Sequence, residues 1–422
     1  MSELIRNIKG TKDILPKESK LWLETESIIH NFMSLHGYNL IRTPIFEKTE
    51  LFKRSIGEET DIVNKEMYTW TDLDGTSLTL RPELTASVIR SYIQNKLGNT
   101  SLLERVYYID SSFRRERPQK GRQRQFTQYG IEAIGSDNPE QDAEIILIAL
   151  RIYQMLGIKD LDVNINSIGS KSSRLDYTKA LVDYLKPYEK ELSDISQQRI
   201  KTNPLRILDS KSEKDIKILE EAPLISNFLT NKDANNFDEI LNILSKLNID
   251  FEINPKLVRG LDYYNGMTFE IISSQIGAQS ALCGGGRYDM LIEFLGGKST
   301  PAVGFAAGLE RLILILKEQE EILNNIDIYI VSINTDSIGE SLKIADRLRS
   351  SLGIKVVTDT LRRSMKSQLR EANKYNSKFV ILIGEDELKK GEVTIKNMED
   401  GSQVNAPIDD IENYFGVDYE YK

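Results

Sequence analysis

Two β-like runs on either side of a charged loop constrain this chain more than any other feature. Residues 105–110 (RVYYID) and 124–134 (RQFTQYGIEAI) flank residues 116–122 (ERPQKGR), which predicts an antiparallel hairpin with a long charged tip. In the second run, period two puts Phe126, Gln128, Gly130 and Glu132 on one face and Thr127, Tyr129, Ile131 and Ala133 on the other. The second set reads as a buried back face. The first set, an aromatic, an amide, a glycine and a carboxylate, reads as the floor of a polar ligand site. Gly130, lacking a side chain, leaves room there for a ligand between Gln128 and Glu132. Arg114 and Glu116 stand on the incoming side. The same residues also suit a solvated hairpin face with cross-strand ion pairs.

Composition narrows the field around that hairpin. At roughly 150 residues per domain, 422 residues predict two to three domains. A formal net charge of −9 argues against a protein that coats nucleic acid non-specifically, though a local basic stripe remains compatible with it. Hydrophobic residues at 40% and charged residues at 28% are ordinary globular values and exclude wholesale disorder. A single cysteine, Cys283, excludes a disulfide framework and a Cys-based zinc site. The two histidines, His30 and His36, fit neither a metal-ligand spacing nor a Ser-His-Asp triad. The first residues lack a signal-peptide core, and apolar runs such as 145–150 and 312–316 fall far short of the roughly 20 residues that span a bilayer. The expectation is a cytoplasmic protein with no membrane association.

Periodicity predicts a helix over 18–36 ended by Gly37, and another over 142–156. Residues 171–247 are charged and helical in pattern and read as an insertion. Strand-like segments return at 268–273 and 280–283, and 304–316 reads as a strand end leading into an apolar helix. After a linker at 318–325, strands near 326–333, 354–358, 379–384 and 392–396 alternate with helices at 338–351, 363–375 and 409–415. That alternation predicts a small α/β domain with a partly parallel sheet, so the expected domains are 1–324 and 325–422.

Four further segments carry chemistry. Arg81-Pro82-Glu83-Leu84-Thr85 precedes a helix, so Glu83 and Thr85 suit either capping or reception of a substrate ammonium. Residues 257–264 (LVRGLDYY) offer Arg259 for a carboxylate or phosphate, or else form an amphipathic strand with a bulge at Gly260. Gly284-Gly285-Gly286 permits close approach of a ligand but reads first as a flexible turn, and no P-loop pattern accompanies it. Gly308-Leu309-Glu310-Arg311 opens a helix, where Arg311 suits a phosphate or a first-turn ion pair.

In order along the chain, these segments resemble the signatures of class II aminoacyl-tRNA synthetases. Pro44 within 41–47 resembles motif 1, Phe113-Arg114-Arg115-Glu116 with the hairpin resembles motif 2, and Gly308–Arg311 resembles motif 3. LVRGLDYY and LCGGGRYD (282–289) narrow the resemblance to the histidyl-tRNA synthetase family, as do Gly10-Thr11-Lys12-Asp13 and TNPLRILD (202–209). The resemblance implies an α+β catalytic domain on a six-stranded antiparallel sheet flanked by helices, a helical insertion, and a C-terminal α/β anticodon-binding domain. It implies a homodimer joined through motif 1. It also implies a histidine–tRNA ligase that uses ATP, with magnesium carried on the nucleotide and no protein-only metal motif. Motif by motif, Glu83, Thr85 and Gln128 would take the α-amino group of histidine, while Glu132 and Tyr264 would read the imidazole, with Tyr263 nearby. Arg259 and Arg114 would be catalytic, Arg259 holding the carboxylate and α-phosphate. Phe126, Glu116, Arg114 and Arg311 would hold ATP.

Leu84 stands where many relatives have glycine, and between two expected ligands it is expected to narrow the pocket. Thr127 replaces a common histidine but faces away. The alternative reading is a non-catalytic paralogue such as the regulatory subunit of ATP phosphoribosyltransferase. Such proteins typically lack the anticodon domain and part of the motif set, both of which this chain retains. Between residues 341 and 378 the acidic chain holds ten basic and three acidic residues. Arg362, Lys366, Arg370 and Lys374 recur every fourth position there, as one face of a helix would require. With Arg122, the first three are the expected tRNA contacts.

Overall fold

The computed structural model describes residues 4–58, 60–276, 281–319 and 325–419. The chain divides into two compact units, Met1–Glu320 and Glu321–Lys422. The expected linker falls mostly on residues 320–324, outside the described residues.

The first unit is built on an eight-stranded sheet. Its strand order is Asn39–Leu40, Glu104–Phe113, Gln125–Ile134, Ala302–Gly308, Ala281–Arg287, Asn265–Ser273, Leu161–Ser167, Glu252–Ile253. The inner six strands are antiparallel throughout, and the two-residue strands at the edges pair parallel. The expected six-stranded sheet is therefore the inner part of a mixed one. Two-residue edge strands carry too little sequence to show a period. The hairpin is as predicted, with Tyr108 opposite Gly130 and Asp110 opposite Gln128. Tyr129, Ile131 and Ala133 are fully buried on its back face. The Tyr129 ring stands edge-on to Phe305, which in turn meets Phe269. Helix Pro139–Met155 packs against the sheet, and its apolar residues at helical spacing are buried.

The three glycines at 284–286 form no turn. They lie inside strand Ala281–Arg287, paired on both sides. Close contact selects glycine here rather than flexibility: a Cβ on Gly285 would stand 2.3 Å from the Gly304 carbonyl oxygen. Residues 257–264, for their part, form neither strand nor bulge but an irregular loop. The insertion is helical as expected, with helices Lys171–Leu185, Asp194–Thr202, Glu213–Ile218 and Asn231–Lys246. Its apolar residues Tyr177, Leu181 and Leu205 share one core with Tyr263, Tyr264 and Tyr288.

The second unit has a five-stranded sheet ordered Val356–Thr358, Ile328–Ser332, Phe379–Ile383, Glu392–Asn397, Gln403–Pro407. The first three are parallel and the last two antiparallel to their neighbours. Separate apolar clusters cover its faces, one around Ile344, Leu348 and Phe415 and one around Tyr329 and Ala372. Helix Met365–Lys374 begins after Arg362, which has a left-handed φ of 51°. Arg362 is thus not part of the basic helical face, which consists of exposed Lys366, Arg370 and Lys374.

Candidate active site

A cavity of about 530 Å³ opens in the first unit. The hairpin contributes Arg114, Glu116, Phe126 and Gln128, and its tip contributes Arg122. Glu83 and Thr85 come from the start of helix Thr85–Gln94, and Arg311 from the start of helix Leu309–Gln319. The 257–264 loop supplies Arg259, Tyr263 and Tyr264. Every side chain singled out for histidine or ATP except Leu84 and Glu132 is on this wall.

The carboxylates are held by donors. Glu83 caps its helix with both oxygens, accepting the Thr85 N–H at 2.7 Å and the Ala86 N–H at 2.9 Å. Burial pushes its pKa up. Capping and a place on the cavity wall are thus both realised. Glu132 lies behind the wall, 1% exposed. It accepts hydroxyl hydrogens from Thr85 at 2.7 Å, from Tyr108 at 3.1 Å and from Tyr288. Burial pushes its pKa up to about 8, against the opposing pull of those hydroxyls. Glu310 accepts the Thr127 N–H at 2.7 Å, while its Oε2 is buried without a hydrogen-bond partner among the described residues. Burial raises its pKa to about 7.

The cations are aimed as well. Arg259 Nη1 donates to Glu270 Oε1 at 2.6 Å. Although burial works against its charge, Glu270 keeps its pKa above the ordinary value. The guanidinium lies flat on Gly284, where a Cβ would come within 2.2 Å of Cζ. Arg114 Nε donates to the Pro82 carbonyl at 2.8 Å, and its Cζ stands 5.3 Å from the Phe126 ring centroid. Glu116 pairs with Arg122 at 3.3 Å. Arg311 donates to the carbonyls of Ala281 and, at 3.5 Å, of Gly121. Such a cavity presents several guanidinium groups to an anion, together with buried carboxyl and phenol groups suited to a small polar side chain.

A family model described as Histidyl-tRNA synthetase matches residues 10–312, and one described as Anticodon binding domain matches residues 327–416. The chain belongs to the histidyl-tRNA synthetase family. Within that family, the histidine–tRNA ligase of Chloroherpeton thalassium is 47% identical over 412 residues, which is 96% of each chain. That of Thermosipho melanesiensis is 45% identical over 410 residues, 96% of this chain and 97% of the other. The crystal structure of the apo S. aureus histidyl-tRNA synthetase has a TM-score of 0.83 at 38% identity, covering 98% of this chain and 100% of that one.

Against the family's expected pattern, two readings need correction. Leu84 does not narrow the pocket: it is 1% exposed and packs with Val88, Val106 and Tyr108 instead. The space over Gly130 is taken by Tyr108, whose hydroxyl would be 2.6 Å from a Cβ there, so no ligand lies between Gln128 and Glu132 at that point. Four participants were not singled out from sequence: Tyr108, Tyr288, Glu270 and Arg81. Fully buried Arg81 donates to the carbonyls of Thr43 at 2.7 Å and Pro44 at 3.2 Å and pairs with Asp110, tying the Pro44 segment to the hairpin. Tyr108 was marked by its place opposite Gly130, and Tyr288 by adjacency to the glycine run. Glu270 carried no local signal. His30 bonds the Tyr107 hydroxyl through Nδ1 at 2.9 Å and takes no part in the cavity. Among the described residues no cluster of metal-ligating side chains occurs, and no helix is long and apolar enough to cross a membrane.

Proposed function

We infer that this chain is a histidine–tRNA ligase, an ATP-dependent enzyme of class II. It joins L-histidine to ATP, giving histidyl-adenylate and pyrophosphate, and then passes histidine to the 3′ end of histidine tRNA. The observation that carries the reading is one cavity edged by Arg114, Arg259 and Arg311 and backed by the buried Glu132 cluster, in a chain matching histidine–tRNA ligases along nearly its whole length. Attack of a carboxylate on the α-phosphate needs no protein nucleophile. It needs alignment and positive charge where negative charge accumulates. In this reading Arg259 bridges the histidine carboxylate and α-phosphate, and Arg114 and Arg311 hold the remaining phosphates. Phe126 stacks on adenine, whose amino group meets Glu116. Glu83, Thr85 and Gln128 receive the ammonium, and Tyr264 receives the imidazole, with Tyr263 beside it and Glu132 reading it from behind the wall through the Thr85 hydroxyl.

Magnesium would arrive on the nucleotide, held mainly by phosphate oxygens and water, and would neutralise part of the phosphate charge. The wall fits such a mode, since Glu310, whose Oε2 has no hydrogen-bond partner among the described residues, would supply the carboxylate oxygen it asks of the protein. Residues 1–324 would be the catalytic domain and 325–422 the anticodon-binding domain, with Arg122 at the acceptor end of the tRNA. Ile45 and Phe46, 46% and 52% exposed beside Pro44, support a homodimer joined there. The setting would be cytoplasmic. The regulatory-paralogue reading is not favoured, because the anticodon-binding match and the arginine set are both present. ATP–pyrophosphate exchange measured with each of the twenty amino acids tests the assignment. Exchange with histidine alone is expected; a folded protein that exchanges with none, or with another amino acid better, overturns it.

A further inference from the structure

The exchange reaction gives the helical insertion no part to play, yet the insertion is bonded to the cavity wall. Arg174, on helix Lys171–Leu185, donates from Nη1 to the Tyr264 carbonyl at 2.8 Å. Asn203, at the end of helix Asp194–Thr202, donates from Nδ2 to Asp262 Oδ1 at 2.6 Å. Asp262 is gripped from the opposite side too. Its N–H donates to the Ile56 carbonyl at 3.2 Å, and its side chain fills the space beside Gly57, where a Cβ would come within 2.2 Å of Oδ2. The loop carrying Arg259, Tyr263 and Tyr264 belongs to no strand or helix, so no ladder of backbone bonds fixes it. The insertion holds it at one backbone oxygen and one carboxylate, helix Thr49–Ile56 accepts the Asp262 N–H, and Asn166 of strand Leu161–Ser167 donates to the Leu257 carbonyl at 3.0 Å.

We propose that Asn203 and Arg174 are positioning residues for histidine binding, holding the Tyr264 loop in register with the rest of the cavity from the insertion. The proposal rests on the reading of Tyr264 as a histidine contact. Its physical content is that the insertion and the amino-acid pocket are mechanically one body: a shift of the insertion carries Asp262 and the Tyr264 carbonyl with it. ATP contacts would be spared, because Arg114 and Phe126 are fixed by the hairpin, Arg311 by its own helix, and Arg259, the one phosphate contact on this loop, by Glu270 and Gly284 in the sheet.

The test is steady-state pyrophosphate exchange on the full chain. Asn203→Ala should raise the KM for histidine about tenfold, the middle of the range for directly bonded pairs, and leave the KM for ATP unchanged. The exchanged pair, Asn203→Asp with Asp262→Asn, rebuilds the hydrogen bond with its donor reversed and should restore the histidine KM. A folded Asn203→Ala with unmoved histidine KM, or with both KM values raised together, overturns the proposal. Should Asn203→Ala not fold, an exchanged pair that folds without regaining the wild-type histidine KM overturns it as well. Tyr264→Phe separates the two levels. If that variant leaves the histidine KM unmoved, the reading of the wall fails and takes the proposal with it. If it raises the KM while Asn203→Ala does not, only the positioning role fails.

Discussion

Arg259 concentrates the chemistry expected of this site in a single guanidinium. It is fixed at 2.6 Å by Glu270 and bedded on Gly284, so its charge is oriented before any substrate arrives. Arg259→Ala should cut histidine-dependent exchange by on the order of 10²–10³-fold while the melting temperature stays close to that of the wild type. Near wild-type exchange would remove Arg259 from the mechanism. Glu132 makes a different prediction, about pH. Its pKa in the fold is raised to about 8 from an ordinary 4.5, so the fold favours the protonated acid. A raised carboxyl pKa gives stability that is complete below the unfolded value and is lost as pH rises through the folded one. The ligand-free protein should therefore melt at progressively lower temperature between about pH 4.5 and pH 8. Glu132→Gln, neutral at every pH, should make that decline shallower without abolishing it, since Glu310 is shifted the same way. Identical melting profiles for the two proteins would show that Glu132 is charged in the empty site.

Helix Met365–Lys374 shows both what a sequence pattern discloses and what it hides. Gln368 and Ala372 face inward, whereas Lys366, Arg370 and Lys374 are exposed and make no ion pair among the described residues. Arg363 is engaged with Asp359 at 2.6 Å and Glu371 at 3.1 Å. Replacing Lys366, Arg370 and Lys374 with alanine should raise the tRNA concentration needed for charging. It should also flatten the salt dependence by about 0.7–0.9 log unit per lost phosphate contact, with pyrophosphate exchange untouched. Charging that is indistinguishable across a salt titration would mark this face as solvated surface only. The four-residue repeat made the helix legible, but nothing in it marked Arg362 as left-handed, because Arg362 lies in the irregular segment before the helix, where no period applies. The hairpin was legible because strict alternation separates a buried face from a polar one. The glycine run was not, because glycine has the same spelling in a turn and in a crowded strand, and only the neighbours Gly304, Phe305 and Arg259 decide between them. Strand Gln403–Pro407 was missed altogether: four of its five residues are exposed, so it presents no apolar alternation to read.

The two units have separate cores, and the cavity belongs wholly to the first. A fragment ending at residue 320 should keep histidine-dependent exchange and lose most of its ability to charge tRNA at ordinary concentrations. Loss of exchange in a folded fragment would show that the second unit supports the first. The insertion would not be separable in the same way, since Tyr177 and Leu181 share a core with Tyr263 and Tyr264. There is also a consequence in the order of manufacture. The cavity wall runs from Ile62 to Arg311, so its last side chain is in place before the second unit begins at Glu321. Domains fold in the order they are made, at about 5–20 residues per second. A growing chain would thus spend several seconds with its whole cavity wall already made, before acquiring the unit that matches an anticodon-binding domain.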